Sequence, residues 1–283
     1  MAKTQDLKRR IRSVSNTMQL TKAMKMVAAA KLRRAQERIV KARPYTRRML
    51  AVLRSLAARA GSDEHPLLNT REGRRLEVVV VTADKGLCGA FNAGVIRTAQ
   101  TFAESRPGHE VKINAVGKKG REYFSSRFGL SGEWIDVFRK VELQHAKDIA
   151  GELIERYVGG EVDSIHIVYN EFKSAIQAKP TVQQLLPIEP RELDSAEAAG
   201  EYLYEPSAEE LFVALLPSYV QNEVFHAMLE SAAAEHAARM TAMDSASKNA
   251  AELIDNLTLT MNRVRQTSIT TEIIEVVSGA EAL

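Results

Sequence analysis

A chain of 283 residues, 45% apolar and 27% charged, is long enough for one large domain or two ordinary ones and apolar enough for a packed core, which excludes general disorder. No apolar run approaches the roughly 20 residues that span a bilayer, so membrane association is expected only through a partner. The net charge of +3 conceals an asymmetry: residues 1–60 hold 17 Lys or Arg against Asp6 and Glu37 alone, a charge of +15, and the remainder carries −12. Such a segment implies an acidic partner, whether nucleic acid, anionic lipid or an acidic protein surface.

The first sixty residues contain no glycine and one proline, Pro44, and are rich in Ala, Lys, Arg, Met and Leu, which predicts a helix. A heptad frame fits it, with Ile11, Met18, Lys25, Leu32 and Ile39 at one seam position and Val14, Thr21, Ala28, Ala35 and Ala42 at the other. The frame continues through Met49, Leu53 and Leu56. Lys25 in a seam either faces solvent through local irregularity or specifies register. Pro44 is expected to kink the helix or to mark a break that a partner covers. The N-terminus, MAKTQDLKRR, is basic but has no apolar stretch behind it, so no secretory leader is expected.

Residues 61–75 read as a linker. LEVVVVTAD (76–84) is a β-branched run typical of a strand buried on both faces. A turn and helix follow over 85–105, a second strand over 111–117, and a short helix from Lys118. A third strand is expected around Trp134, Ile135, Val137 and Phe138. An amphipathic helix is expected over 143–158, a strand over 164–172, and another over 175–188, where Pro180 favours a sheet edge. Alternating strands and helices argue for a mostly parallel sheet. An acidic connection over 189–206 holds one possible short strand, Tyr202–Tyr204.

From Ser207 to Val277 there is again no glycine, SAEE (207–210) resembles a capping box, and Met240, Met243, Ala246, Ala250, Leu253, Leu257, Met261 and Val264 recur at helical spacing, followed by Ile269, Ile273 and Val277. This predicts a second long helix ending at Ser278–Gly279. Two long one-sided helices at opposite ends of a chain bury their stripes most simply against each other, antiparallel. The expected organisation is a helix over 1–60, a linker over 61–75, an α/β domain over 76–206 and a helix over 207–283.

Sharper chemistry finds little support. Gly86-Leu-Cys-Gly89 follows a strand but lacks the Gly-Lys-Ser/Thr of a phosphate loop and the G-x-G-x-x-G of a dinucleotide loop, so it reads as a tight turn. The lone cysteine, Cys88, excludes an intramolecular disulfide and reads as a small buried apolar side chain. His65, His109, His145, His166, His226 and His236 are scattered without metal spacing, and the Met-rich stretches read as seam filler. A nucleic-acid-binding coiled-coil protein would explain the +15 segment but neither the long C-terminal helix nor the acidic middle.

Three separated segments, in order, resemble one family. IRSVSNTMQLTKAMKMVAAAKLRR (11–34) is similar to the N-terminal helix of ATP synthase γ subunits, VVVVTADKGLCGAFN (78–92) to their first strand and loop, and NRVRQTSITTEIIEVVSGAEA (262–282) to their closing pattern. The resemblance covers essentially the whole chain. It implies a non-catalytic rotor shaft without a cofactor: an antiparallel coiled coil of the terminal helices with a central Rossmann-like α/β domain. It implies one copy beside three α and three β subunits, an ε subunit and a ring of c subunits, coupling proton flow to nucleotide cycling on β. It places Lys22, Ala23, Met24 and Lys25 where acidic loops of β lean on the shaft, and Arg265, Gln266, Thr270 and Glu272 at a catch against β. It makes the last apolar turns an axle tip. The chain lacks the inserted segment and cysteine pair of chloroplast members, so thiol control is not expected. A bacterial origin is expected, at the cytoplasmic face of the plasma membrane.

Overall fold

The computed structural model describes residues 2–60, 65–175, 177–188, 205 and 207–281. The elements in chain order are α1 (Ala2–Ala60), β1 (Arg75–Val81), α2 (Phe91–Glu104), β2 (Glu110–Val116), α3 (Lys118–Phe124), β3 (Leu130–Trp134), a 3-10 turn (Val137–Arg139), α4 (Leu143–Val158), β4 (Ser164–Phe172), β5 (Ala178–Leu186) and α5 (Ala208–Glu281). They form two compact units. One joins Met1–Ala29 to Arg239–Leu283, and the other runs from Ala30 to Ala238.

The second unit is built on a five-stranded sheet in the order β3-β2-β1-β4-β5. β1 pairs in parallel with β2 and β4, and β2 with β3, whereas β5 runs antiparallel to β4 along the edge. The apolar run of β1 sits at the centre because only there are both faces covered. On one face Leu76, Val78 and Val80 pack with Ile113, Val168, Phe124 of α3, and Val95 and Ala99 of α2. α2 buries Phe91, Val95, Ala99 and Ala103, a stripe at four-residue spacing. On the other face α4 buries Ala146, Ile149, Ala150, Leu153 and Tyr157. Glu77, fully buried in β1, has Arg156 Nη1 3.4 Å from its carboxylate. Removing Arg156 would strand the Glu77 charge, whereas Arg156 also donates to the Ser131 carbonyl at 3.0 Å and to Asn114 Oδ1 at 3.3 Å. Pro180 lies in the edge strand, as its missing amide requires.

The expected strand around Trp134–Phe138 is corrected. β3 lies earlier, ends at Trp134, and the chain then curls into the 3-10 turn. The cause is Asp84, just beyond β1, whose carboxylate accepts the backbone amides of Asp136 at 2.9 Å and Phe138 at 3.3 Å, together with that of Lys118 at 3.1 Å. Gly117, at the end of β2, has a φ of +95°, and a Cβ there would meet the Thr82 carbonyl oxygen at 2.1 Å, so only glycine fits. The possible strand at Tyr202–Tyr204 lies outside the described residues.

Within this unit α1 buries Leu32, Ala35, Ile39, Met49, Leu53 and Leu56, in the expected frame. Pro44 does not break it: the helix is continuous to Ala60. The carbonyl four residues earlier, deprived of its amide, belongs to the exposed Val40, where water can satisfy it. The Arg38 guanidinium donates to the Val141 carbonyl, and Asn222 of α5 donates to the Thr46 hydroxyl at 3.1 Å. α5 opens with Ser207, whose hydroxyl accepts the Glu210 amide at 3.2 Å, a cap read correctly from SAEE. At its far end α5 passes Gly279 and reaches Glu281, two residues beyond the expected stop. One glycine costs about 1 kcal/mol in a helix, and the Ala and Glu that follow are good helix formers.

His166 of β4 packs against Phe102, with ring centroids 4.9 Å apart, and burial pushes its imidazole down to about 4 from 6.5. The neutral form is therefore the folded form. Stability from this residue is fully present above about pH 6.5 and is lost as pH falls toward 4. Urea unfolding at pH 7 and at pH 4.5 should show wild type losing about 2–3 kcal/mol more than His166→Gln over that interval. Equal losses in the two proteins would contradict this.

Candidate functional site

The first unit is a two-helix structure. Ile11, Val14, Met18 and Met24 of α1 are half-buried, and Thr21 and Ala28 are buried. From α5 the seam is supplied by Met243, Ser247, Ala250, Ile254, Leu257, Met261, Val264 and Ser268, each buried or half-buried. Their spacing alternates four and three residues, the period of a coiled coil. The apolar residues expected at helical spacing included Ala246 and Leu253. Leu253 is instead 47% exposed, Ala246 is half-buried, and the seam runs through the polar Ser247. Strict four-three spacing would have found it.

Ser247 has a partner that explains its place. Its Oγ lies 2.7 Å from Thr21 Oγ1, in a bond that either hydroxyl can donate, with the two residues 7% and 8% exposed. The small side chains let the helices approach; one hydroxyl donates across the seam while the other can donate to a carbonyl of its own helix, Met18 at 3.0 Å for Thr21 or Met243 at 2.8 Å for Ser247, so both buried hydroxyls are satisfied. One turn along α1, Lys25 Nζ meets Asp244 Oδ1 at 2.6 Å, and the second carboxylate oxygen is 2.9 Å from Lys248. Hydrogen bonds from Lys25 and Lys248 hold the Asp244 carboxyl below the usual carboxylate range. Lys25 is thus exposed and still cross-bridged, which combines the two alternatives left open by its position in the frame. These contacts pair the two helices antiparallel.

Of the other sequence-derived site residues, Lys22 and Ala23 are exposed beside Lys25, and Met24 is half-buried toward the seam. Lys22 has no partner among the described residues. Arg265 and Glu272 line one groove of about 340 Å³ with Ser268 and Ile269 of α5 and Thr4, Gln5 and Lys8 of α1. Gln266 and Thr270 do not join it. They are exposed, and the Thr270 hydroxyl donates to the Gln266 carbonyl at 3.0 Å. Thr4, Gln5, Lys8 and Asp244 were missed in the sequence because nothing in a single helix announces what its partner places opposite. Beyond the groove Ile273, Ile274, Val276 and Val277 are exposed, Val276 at 73%.

The second unit offers the other place for a site, the crevice outside the carboxyl ends of parallel strands, where doubly wound sheets take ligands. Here the protein fills it. Ser231 of α5 accepts the Asn170 amide at 3.2 Å, Glu230 accepts the Phe172 amide at 2.8 Å, and Ala234 packs on Ala83, Cys88 and Phe91. The Gly86–Gly89 turn folds inward on Cys88, whose Sγ accepts from Asn92 at 3.3 Å. Among the described residues no group of His, Cys, Asp and Glu could hold a metal, and no helix is long and apolar enough to cross a membrane.

Comparison with known proteins decides the family. A family model described as ATP synthase matches residues 3–283. ATP synthase gamma chains from Geobacter sp. (strain M21), Desulforamulus reducens and Anaeromyxobacter sp. (strain Fw109-5) are 47%, 48% and 50% identical, each over the whole of this chain and 99–100% of the relative. The chain belongs to the ATP synthase gamma chain family. Among solved structures, the central stalk and c-ring of Tetrahymena thermophila mitochondrial ATP synthase matches with a TM-score of 0.62 and 28% identity over 81% of this chain and 99% of that one. A chain of Euglena gracilis mitochondrial ATP synthase, in an assembly of OSCP, F1 and c-ring, matches with a TM-score of 0.68 over 99% of this chain and 94% of that one; at 18% identity this likeness carries the fold alone. For a gamma chain the informative surfaces are those of the helix pair, since the crevice of its sheet is closed by its own α5.

The Thr21–Ser247 bond should couple the two helices energetically. Thr21→Val and Ser247→Ala should each lower stability by about 0.5–1.5 kcal/mol, because each breaks the one cross-helix bond of the pair while the surviving hydroxyl keeps its own-helix carbonyl, and the double variant should lose clearly less than the sum. A double-mutant cycle from urea unfolding checks this, and additive losses would count against the bond.

Proposed function

We propose that this chain is the rotor shaft of an F-type ATP synthase, present once beside three α and three β subunits, an ε subunit and a ring of c subunits. It turns with the c ring and passes proton-driven rotation to the β subunits, where the ATP chemistry takes place. Its place is the cytoplasmic face of a bacterial plasma membrane, reached through its partners. Residues 76–206 are its α/β body, and residues 1–60 and 207–283 supply the shaft.

The observation that carries this reading is the full-length identity of 47–50% with gamma chains, joined to a helix pair whose outer surface fits the work. A shaft must be held firmly inside and loosely outside. Inside, the seam is buried and its hydroxyl pair is dry. Outside, Lys22 and Lys25, with the small Ala23 between them, present positive charge complementary to acidic loops of β, and Arg265, Gln266, Thr270 and Glu272 present groups for a catch. Exposed ion pairs, worth about 0–1 kcal/mol, grip and release without stalling a rotor. The exposed apolar end of α5 suits a sleeve in which non-directional contact permits slip.

Co-expression with α and β subunits of a related synthase, followed by size-exclusion chromatography and an ATPase assay, tests the reading. It requires one co-eluting complex with one copy of this chain per three α and three β, and ATPase above that of α and β alone. Separate elution with unchanged ATPase would sink it. In the assembled enzyme, Lys22→Glu with Lys25→Glu should slow or uncouple rotation, read as lowered ATP synthesis per proton translocated. Removing residues 271–283 should weaken torque and assembly while the α/β body melts as before. A truncated chain that melts as a whole would show the tip to be core.

A further inference from the structure

Within residues 22–25 the two lysines differ. Lys22 is exposed and has no partner among the described residues, whereas Lys25 is held by Asp244 at 2.6 Å. The Lys25 and Asp244 side chains are 45% and 33% exposed, so water and other charges reach the pair freely. Asp244 also holds Lys248 at 2.9 Å through its other oxygen.

We infer that Asp244 is a built-in competitor for Lys25: a carboxylate of the chain itself that must yield the lysine whenever an acidic partner surface takes it, and so limits how tightly residues 22–25 are gripped. This rests on the proposed function, in which that segment meets acidic loops of β. Three features make the exchange easy. The pair is wet, hence weak and readily broken. When Lys25 leaves, Lys248 stays on the carboxylate, so no orphaned charge results. The neighbouring Thr21–Ser247 bond, at 2.7 Å and buried, keeps the helices in register, so the exchange needs a rotation of one side chain and no movement of backbone. Asp244 and Lys25 touch no reacting atom; Asp244 is a positioning residue that acts through Lys25.

The test titrates the full-length chain onto a purified assembly of α and β subunits, at low and at physiological salt, with circular dichroism melting of each variant. Asp244→Asn should tighten binding about two- to fivefold at low salt, with the gain shrinking as salt screens it. Lys248→Met, which leaves Asp244 with Lys25 alone, should weaken binding by a similar factor. In a Lys25→Met background neither change should matter. Lys22→Ala and Lys25→Met should each weaken binding. If those two weaken it but Asp244→Asn and Lys248→Met move it in the same direction or not at all, the competitor role is overturned and the lysine surface stands. If Lys22→Ala and Lys25→Met leave binding unchanged, the segment does not meet an acidic partner, and the inference falls with that reading. Should Asp244→Asn lower the melting temperature, the opposite sign required of Lys248→Met still decides.

Discussion

Everything in this chain depends on giving two one-sided helices a partner. A helix with a single apolar stripe is marginal in water, because its stability comes from burying that stripe and not from its backbone alone. The chain solves this by pairing its two ends antiparallel and by placing a polar bond in each unit where the helices meet. Thr21 and Ser247 do so in the first unit, and Thr46 and Asn222 in the second, at the same antiparallel offset. An apolar seam alone tolerates sliding by a heptad. A buried hydroxyl that finds its partner at one offset and not at the others removes that freedom.

Much of this was legible in the sequence, for reasons that can be named. α4 and β4 were readable to the residue and β1 to within three, because the stripe of α4 and the apolar runs of the strands are strong and their flanks carry turn residues. The α1 frame was readable because small and large apolar residues repeat over many turns. What failed was whatever depended on a distant contact. The strand near Trp134 moved because the Asp84 carboxylate, about fifty residues away in sequence, gathers the amides of Asp136 and Phe138. On α5 the apolar spacing took in Leu253, which is exposed, and passed over Ser247, a polar seam member whose hydroxyl is accommodated by Thr21 and by the Met243 carbonyl. Of the proposed contact surface, the exposure of Lys22 and Ala23 agrees with a role outside the seam. The tie between Lys25 and Asp244 needed both helices in view.

The α/β body shows how a fold is kept and its usual site withdrawn. Four parallel strands in the order β3-β2-β1-β4 create a switch point at β1 and β4, yet Glu230, Ser231 and Ala234 of α5 fill the crevice outside it. The hydrogen bonds from Asn170 and Phe172 that end β4 are answered by a helix of the same chain. A sheet that elsewhere receives a ligand here receives part of α5, and the crevice becomes a joint between sheet and helix.

Cys88 stands in that joint, walled by Ala83, Phe91 and Ala234 and only 2% exposed. Since the chain has no other thiol, its chemistry is silent while the joint is shut. The rate at which a small thiol reagent modifies the folded protein is therefore a clock for how often α5 lifts from the sheet, readable without adding a label or altering a residue.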